Sequence, residues 1–266
     1  MLGKQGAEQR TQTRANALNA AAALADSQGD YSAARAMHEE SAAVSQELGD
    51  LMGVARSLNG MASVVFHQGE YAASRDLQMK SLAIARELRN RGGVASSLGN
   101  LANVAISQGD VGSARTLLAE SLSIMRELDD RSGLARILLS LADVAHNEGN
   151  YPAAGTLRWE ALVVLWEAGE RGAAIAYSLE GLAAVDDALG STLRAAREWG
   201  AAERLRESGR FLQPPTDRVS YEQRVIAARA MLANDAAFAS AWQEGRALTL
   251  EQAVELAREK SVERDG

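Results

Sequence analysis

The fold is decided by residues 58–75, LNGMASVVFHQGEYAASR, because this stretch recurs along the chain. Related stretches are LNAAAALADSQGDYSAAR at 18–35, LGNLANVAISQGDVGSAR at 98–115 and LLSLADVAHNEGNYPAAG at 138–155, so successive copies start 40 residues apart. A fixed period of this length indicates a repeat protein whose neighbouring units stack. Small residues stay in register in three columns, which are Ala22, Ala62, Ala102 and Ala142; Ala34, Ser74, Ala114 and Ala154; and Ser41, Ser81, Ser121 and Ala161.

Each copy is typical of two helices joined by a tight turn. In the second copy, apolar residues at helical spacing predict a first helix over about 55–68 and a second over about 71–88. A glycine between them is expected to end the first helix in the left-handed conformation. These turn glycines are Gly29, Gly69, Gly109 and Gly149. The expected N-caps of the second helices are Asp30, Asp110 and Asn150, with Glu70 a weaker cap, and those of the following first helices are Asp50, Asn90 and Asp130.

The order of these residues resembles the tetratricopeptide repeat family. The signature positions are occupied in the second copy by Leu58, Met61, Ala62, Gly69, Tyr71, Ser74 and Ser81. This chain departs from the family pattern in its longer period, the absence of a Trp in the first helix and the absence of a proline that ends the unit. The resemblance implies an all-α fold, a right-handed α-solenoid of about five 40-residue helix-turn-helix repeats with a C-terminal helical cap.

A fifth copy is degraded and fits only if one residue is inserted after Arg171. After it, the adjacent prolines of FLQPPTD (211–217) break the pattern, and three short helices are expected at about 218–233, 235–244 and 249–260. Thr249 and Gln252 form the pattern of a capping box. The expected organisation is therefore an N-terminal flank at 1–11, a solenoid at 12–210 with repeats at about 12–50, 51–90, 91–130, 131–171 and 172–210, and a helical cap at 211–266.

The tail, WGAAERLRE at 199–207 and FASAWQEGRALTLEQAVELA at 238–257, is similar to the end of the repeat region in large bacterial signalling regulators of the LuxR and ATPase type. Many of those regulators carry an NTPase domain upstream and a helix-turn-helix domain downstream. This chain has no Walker motif, and residues 217–266 lack the basic recognition helix of a DNA reader. The resemblance implies an excised sensor region or a stand-alone relative.

Composition narrows the function. The chain contains no cysteine, which excludes disulfides, thiolate zinc sites and cysteine nucleophiles and suits the cytoplasm. A net charge of -7 argues against direct nucleic-acid binding. The N-terminus lacks the apolar segment of a signal peptide, and no apolar run is long enough for a membrane span. The three histidines form no HExxH string, and no P-loop string is present, so we expect no catalysis, no cofactor and no metal.

By similarity with the family, the residues that face the inner groove come from the first helix of each pair. These positions are polar and vary from unit to unit, which is typical of a binding face, whereas a packing face repeats. They are Asn19, Arg56, Asn59, Ser63, Phe66, His67, Asn103, Arg136, Asp143, His146 and Asn147, with Tyr177 and Glu180 from the degraded fifth unit.

Two interpretations of this face are open. It is either a solvated surface, or Arg56, Asn59 and Asn103 form a clamp for a peptide backbone or a terminal carboxylate. The expected function is a non-enzymatic scaffold that binds a protein or peptide, as the interaction or sensing region of a bacterial signalling regulator. The alternative is a small-molecule effector-sensing domain that controls an attached ATPase or transcription factor. Self-association through the solenoid ends is a third hypothesis.

Overall fold

The computed structural model describes residues 11–209, 215–232 and 234–264, and among these the side chains of residues 215–217 and 259–264 are left out of the description. The described residues form thirteen α-helices and no strand. None of these helices is long and apolar enough to cross a membrane. The helices are α1 (Gln12–Ser27), α2 (Tyr31–Glu47), α3 (Leu51–His67), α4 (Tyr71–Glu87), α5 (Arg91–Ser107), α6 (Val111–Leu128), α7 (Arg131–Asn147), α8 (Tyr151–Glu167), α9 (Ala173–Ala188), α10 (Thr192–Gly209), α11 (Pro215–Met231), α12 (Asp235–Ala247) and α13 (Leu250–Arg264).

The predicted fold class is confirmed, because consecutive helices pack antiparallel as about five helix pairs of the tetratricopeptide type. The chain divides into two compact units. The first ends at Ile124, within α6, and the second runs from Met125 through the C-terminal helices, apart from Pro215 and Thr216, which group with the first unit. The expected flank before Thr11 and residues 211–214 of the expected break fall outside the described residues, whereas the last three residues of that break, 215–217, begin α11.

The turns inside the first four pairs have the expected chemistry. Their glycines at 29, 69, 109 and 149 adopt left-handed φ angles between 75° and 82°, a conformation that costs glycine no steric strain. The three expected caps each accept a hydrogen bond from the backbone amide three residues later, at 3.0 Å for Asp30, 3.1 Å for Asp110 and 3.3 Å for Asn150. Glu70 makes no side-chain cap bond, as expected of a weaker cap.

The turns between pairs are less uniform. Asn90 and Asp130 cap the following helix as expected, accepting from the amides of Gly93 and Gly133 at 3.1 and 2.9 Å. The cap expected at Asp50 is wrong, because that side chain makes no cap bond and its carboxylate accepts instead from the Gln12 amide at 2.6 Å. Two of these turns place a non-glycine residue in the left-handed region, at a φ of 51° for Arg89 and 52° for Asp129.

The three small-residue columns are packing columns. All twelve members are buried, with at most 3% of their surface exposed. Small side chains let helices approach closely, so neighbouring helices interlock without large rings. In the first unit, the serines of the third column also fasten the second helix to the first. Each donates its hydroxyl to a backbone carbonyl 26 residues earlier at 2.8–3.0 Å: Ser41 to Ala15, Ser81 to Ala55 and Ser121 to Ala95.

The C-terminal helices pack on the fifth pair, α9 and α10, within the second unit. Helices α10 and α12 cross backbone to backbone, since a Cβ added at Gly200 would lie 2.2 Å from the Trp242 carbonyl oxygen, and one at Gly245 would lie 1.9 Å from that of Arg197. The predicted capping box of α13 is confirmed: the Thr249 amide donates to Gln252 at 2.8 Å, and the Gln252 amide donates to the Thr249 hydroxyl at 3.2 Å.

Candidate binding faces on the first helices

The predicted groove residues fall into two sets, one in each unit. We call the residues at positions 56, 59, 63, 66, 67 and 103 the first face, which lies on α3 and α5. The residues at positions 136, 143, 146, 147, 177 and 180 form the second face, on α7 and α9. Arg56, Arg136 and Asn147 are exposed and the other nine are half-buried. Each set is therefore accessible in part, and the orientation of both toward one groove stays a prediction.

Asn19 is buried, unlike the other predicted groove residues, and we therefore place it in neither face. Only 8% of its surface is exposed. Its amide nitrogen donates to Ser41 at 2.7 Å and to Ser57 at 3.0 Å, and its amide oxygen lies 2.8 Å from Nδ1 of His38. The side chain is committed to the interface between α1, α2 and α3, because buried polar groups require such partners.

Asn59 is the best-oriented polar group of the first face. Its amide oxygen accepts from Nε2 of Gln78 at 3.1 Å and from Nδ2 of Asn100 at 2.6 Å. These two bonds hold the amide in place, with its oxygen directed at both neighbouring amide nitrogens. In the described part of the chain, no acceptor bonds the amide nitrogen of Asn59. The side chain therefore offers a fixed hydrogen-bond donor.

Arg56 lies one helical turn before Asn59 on α3. Its Nη1 donates to Oδ1 of Asn16 at 3.0 Å, and within the described residues it has no carboxylate partner. A guanidinium presents five donors in a planar fork, so one bond to an amide oxygen leaves most of them available. The guanidinium can therefore donate hydrogen bonds to a bound carboxylate or to peptide carbonyls.

The far end of the first face is organised by a carboxylate that the sequence did not reveal. Asp26 accepts from the Ser63 hydroxyl at 3.2 Å, and its other oxygen lies 2.9 Å from Nδ1 of His67. The ring of Phe66 packs on His67, with centroids 6.0 Å apart. In a hydrolase, the histidine must bond directly to the nucleophilic serine. Here Asp26 lies between Ser63 and His67 and bonds to both, so the arrangement differs from that of a hydrolase.

The second face is built around a buried arginine. Arg158 of α8 has 5% of its side chain exposed and forms an ion pair with Asp143. Its guanidinium lies 5.2 Å from the ring centroid of Tyr177, and the Tyr177 hydroxyl donates to the same Asp143 at 2.8 Å. Burial acts to lower the pKa of Arg158, but the neighbouring acidic groups raise it overall, so the guanidinium stays charged. The three side chains therefore bind one another, although Nε of Arg158 is buried without a hydrogen-bond partner among the described residues.

Two further residues of the second face, Glu180 and His146, also have internal partners. Glu180 forms a two-bond ion pair with Arg206 of α10, one bond measuring 2.9 Å. His146 packs edge-on against Tyr151 at 5.2 Å between centroids. Burial lowers the pKa of His146, and the nearby charges of Arg224 and Arg158 lower it further. The histidine is therefore held neutral near pH 7.

One column of second-helix residues differs between the two faces, and the sequence analysis did not identify it. It is the residue four after the second packing column and three before the third: His38, Gln78, Leu118 and Arg158. That spacing alone puts it on the buried side of the second helix, so a polar residue there must find a partner. A glycine in the next repeat gives two of these side chains room. A Cβ at Gly60 would lie 2.2 Å from the His38 ring, and one at Gly181 would lie 1.9 Å from the Arg158 guanidinium.

In the described ranges, no group of three or more His, Asp or Glu side chains is placed to hold a metal ion.

Comparison with protein families matches the tetratricopeptide repeat to residues 13–87, 53–127 and 93–157. These overlapping matches cover more than half of the chain, so the protein belongs to the tetratricopeptide repeat family. No curated protein sequence matches the chain.

Three solved structures share the fold. A Rap protein complexed with competence and sporulation factor is 16% identical, with a TM-score of 0.62 over 95% of this chain and 77% of that one. The apo form of RapI is 15% identical, with a TM-score of 0.56 over 94% and 97% of the two chains. BtubC (BKLC) from P. vanneervenii is 20% identical, with a TM-score of 0.56 over 74% and 81%. At these identities, the likeness concerns the fold.

Proposed function

We propose that this protein is a non-enzymatic scaffold that binds an extended protein or peptide segment on its first face. The observation that carries the proposal is the fixed amide of Asn59, whose nitrogen has no acceptor in the described part of the chain, one turn from the guanidinium of Arg56. An extended peptide presents backbone carbonyls that a fixed amide can bind, and a terminal carboxylate suits a guanidinium.

The remainder of the first face supports the same occupant. Phe66 offers an aromatic surface for an apolar side chain, and Ser63 and His67 flank it, anchored by Asp26. Apolar contacts with a few fixed polar groups are the usual composition of a recognition site. Asn103, half-buried on α5, is the third member of the proposed clamp.

The setting is part of the proposal. The protein would serve as the interaction or sensing region of a bacterial signalling regulator in the cytoplasm. The resemblance of its tail to the end of the repeat region in such regulators supports this setting. The likeness to a Rap protein in complex with competence and sporulation factor supports a binding role for this fold.

The test is affinity capture from a bacterial lysate, with proteins and small molecules both identified by mass spectrometry. The wild-type chain is compared with a triple variant, Arg56→Ala, Asn59→Ala and Asn103→Ala. The matched control changes three exposed residues of the second helix in the same repeat, Arg75→Ala, Asp76→Ala and Lys80→Ala. Thermal melts establish that all three proteins are folded.

We expect wild type and control to enrich the same protein or peptide, and the triple variant to lose it. If the folded triple variant retains the same material, the first face is not the recognition surface. If small molecules alone are enriched, the scaffold function is wrong and the effector-sensing alternative replaces it.

A further inference from the structure

Helix α1 exposes a stripe of residues that the later first helices bury. Its members have the helical spacing i, i+4, i+7 and i+11. They are Thr13, Ala17, Ala20 and Leu24, and we call them the N-terminal stripe. All four are exposed, Leu24 to 59%, whereas Val64 and Val104, in the same column of α3 and α5, are 0% and 2% exposed. Among the described residues, no helix therefore covers the N-terminal stripe.

In α3, the equivalent stripe is covered by the preceding second helix, α2. The hydroxyl of Ser57 donates to that of Ser41 at 3.1 Å. Along the two helices, the paired residues are Gly53 with Ser45, Ser57 with Ser41, Gly60 with His38, and Val64 with Ala34. The four residues of α2 have the same spacing as those of α3, and the two stripes run antiparallel. Position i of one helix therefore lies opposite position i+11 of the other.

The contact between α4 and α5 keeps this register. A Cβ added at Gly93 would lie 3.2 Å from Cβ of Ala85. The hydroxyl of Ser97 donates to that of Ser81 at 3.3 Å. In two successive contacts of the first unit, a first-helix stripe of this spacing thus packs on an antiparallel stripe of the same spacing. The N-terminal stripe is a packing surface of the same kind.

The N-terminal stripe is complementary to itself in that register. When two copies of α1 lie antiparallel, Thr13 faces Leu24 of the other copy, and Ala17 faces Ala20. Every member then has a partner, and the one large side chain meets a smaller one. Small residues let the two helices approach closely. None of the four side chains is charged, so the two copies meet without like-charge repulsion at the stripe.

Head-to-tail stacking of copies is disfavoured because the last second helix, α10, already has a partner. The second helices α2 and α4 pack on the first helix that follows each of them, but α10 packs on α12. The backbones of these two helices approach closely at Gly200 and Gly245. Helix α10 therefore does not offer its stripe to α1 of another copy. A contact of α1 with α1 is isologous and closes as a two-fold dimer.

We propose that the N-terminal stripe is a homodimer contact, in which α1 packs antiparallel on α1 of a second copy. A contact through one helix of 16 residues is small, so the dimer is weak and forms at high protein concentration. The stripe is separate from the first face and does not depend on the peptide-binding function proposed above. A dimer carries two first faces and would bind a partner that has two recognised segments with avidity, and this consequence alone rests on that function.

The chain has no cysteine, so introduced cysteines report the register of the contact. Full-length Thr13→Cys and Leu24→Cys chains are oxidised mildly, each alone and as a mixture. In the antiparallel dimer, two copies of the same stripe-end residue are offset by 11 residues, or about 16 Å of helix. A disulfide cannot bridge that distance. The control is a mixture of Ala36→Cys and Glu47→Cys, two exposed positions of α2 with the same separation.

We expect the Thr13→Cys and Leu24→Cys mixture to yield roughly tenfold or more cross-linked dimer than either variant alone or the control mixture, because only this pair meets the geometry of a disulfide. Light scattering at increasing concentration provides a second readout. Wild type should approach the mass of a dimer, and Ala17→Glu, which would bury a charge in the contact, should stay monomeric. Ala23→Glu, exposed on another side of α1, should behave like wild type.

A wild-type chain that stays monomeric at every concentration would overturn the proposal and leave the stripe to a different partner. Equal cross-linking of the mixture and of either variant alone would also overturn it, since parallel or random contacts would then be responsible. Masses that rise beyond a dimer would indicate head-to-tail stacking, which contradicts the two-fold contact. None of these results affects capture through Arg56, Asn59 and Asn103, so failure here and failure of the proposed function are distinguishable.

Discussion

The first and second faces occupy corresponding helices of the repeat, yet their polar groups are committed differently. In the first face, Gln78 binds the oxygen of Asn59 and leaves its nitrogen available. In the second face, Arg158, in the same column as Gln78, binds Asp143 and stacks on Tyr177. The comparison shows that a buried side chain of the second helix decides whether a first-helix residue is available to a partner.

The largest expected effect comes from filling the space that Arg158 occupies. In Gly181→Ala, the new Cβ would lie 1.9–2.1 Å from atoms of the buried guanidinium, so we expect the free energy of unfolding to fall by about 1–3 kcal/mol through overpacking. The control is Gly112→Ala in α6, where the nearest atom is 3.9 Å away and stability should rise by about 0.4–1 kcal/mol. Urea denaturation measures both, and an unchanged midpoint for Gly181→Ala would show that Arg158 is free to move.

A second substitution tests the same comparison in the first face. Gln78→Leu places at this position the residue that the third repeat has at Leu118, and it removes one of the two bonds that fix Asn59. The change removes one hydrogen bond, but it also removes the amide oxygen of Gln78, which is buried without a hydrogen-bond partner among the described residues. Because these two effects oppose each other, we expect the free energy of unfolding to change by less than about 1 kcal/mol.

The same variant should weaken capture of the first-face partner, although Asn59 itself is intact, since its amide is no longer held in one orientation. Capture is measured beside that of a Leu118→Gln chain, which changes the same column in the next repeat. Full capture by Gln78→Leu would mean that the fixed orientation of Asn59 is irrelevant to recognition.

Acid should destabilise both units, through the buried His38 in the first and the half-buried His146 in the second. Burial lowers the pKa of His38 and of His146, and Arg224 and Arg158 lower the latter further. The folded state therefore binds fewer protons than the unfolded state, so stability is highest above about pH 6.5 and falls as the pH drops toward the folded-state pKa values.

Melting temperatures measured from about pH 7.5 down to about pH 5.5 should decrease. The decrease should be smaller in His146→Gln and in His38→Gln, which keeps a hydrogen-bonding partner for Asn19 as Gln78 does for Asn59. A pH profile identical to that of wild type in both variants would contradict the neutral state assigned to these histidines.

The smallest effect concerns a turn within the first unit. Arg89 adopts a left-handed φ of 51° where the preceding repeat has Gly49 at 70°. Replacing Arg89 with Gly removes the Cβ strain of this conformation, and we expect a gain of about 0.5–1 kcal/mol. Chemical denaturation should show a higher midpoint with an unchanged slope, whereas Gly49→Ala should lower it. A loss of stability in Arg89→Gly would mean that the arginine side chain contributes more than its backbone costs.

Local features of the fold could be predicted from the sequence. The left-handed glycines and the caps at Asp30, Asn90 and Asn150 depend on residue type and on neighbours within four positions. The packing columns involve more distant contacts, but small residues that recur every 40 positions made them visible. Asp50 failed as a cap because Gln12, 38 residues away, supplies a competing donor.

The candidate site was less predictable because its chemistry depends on contacts between repeats. The burial of Asn19 depends on His38 and Ser57, and the role of Arg158 depends on the room left by Gly181. The charge of Arg224 on α11 lowers the pKa of His146 on α7, an influence that no periodic signal in the sequence predicts. Only the register of the second helix could have pointed to Arg158 in advance.

The central claim, that the first face recognises an extended segment, is tested most directly by selecting a random peptide library on the immobilised full chain. The chains compared are wild type, the Arg56, Asn59 and Asn103 triple variant and the Arg75, Asp76 and Lys80 control. The account predicts one enriched peptide motif shared by wild type and control and absent from the folded triple variant. Enrichment of the same motif by all three chains would contradict it.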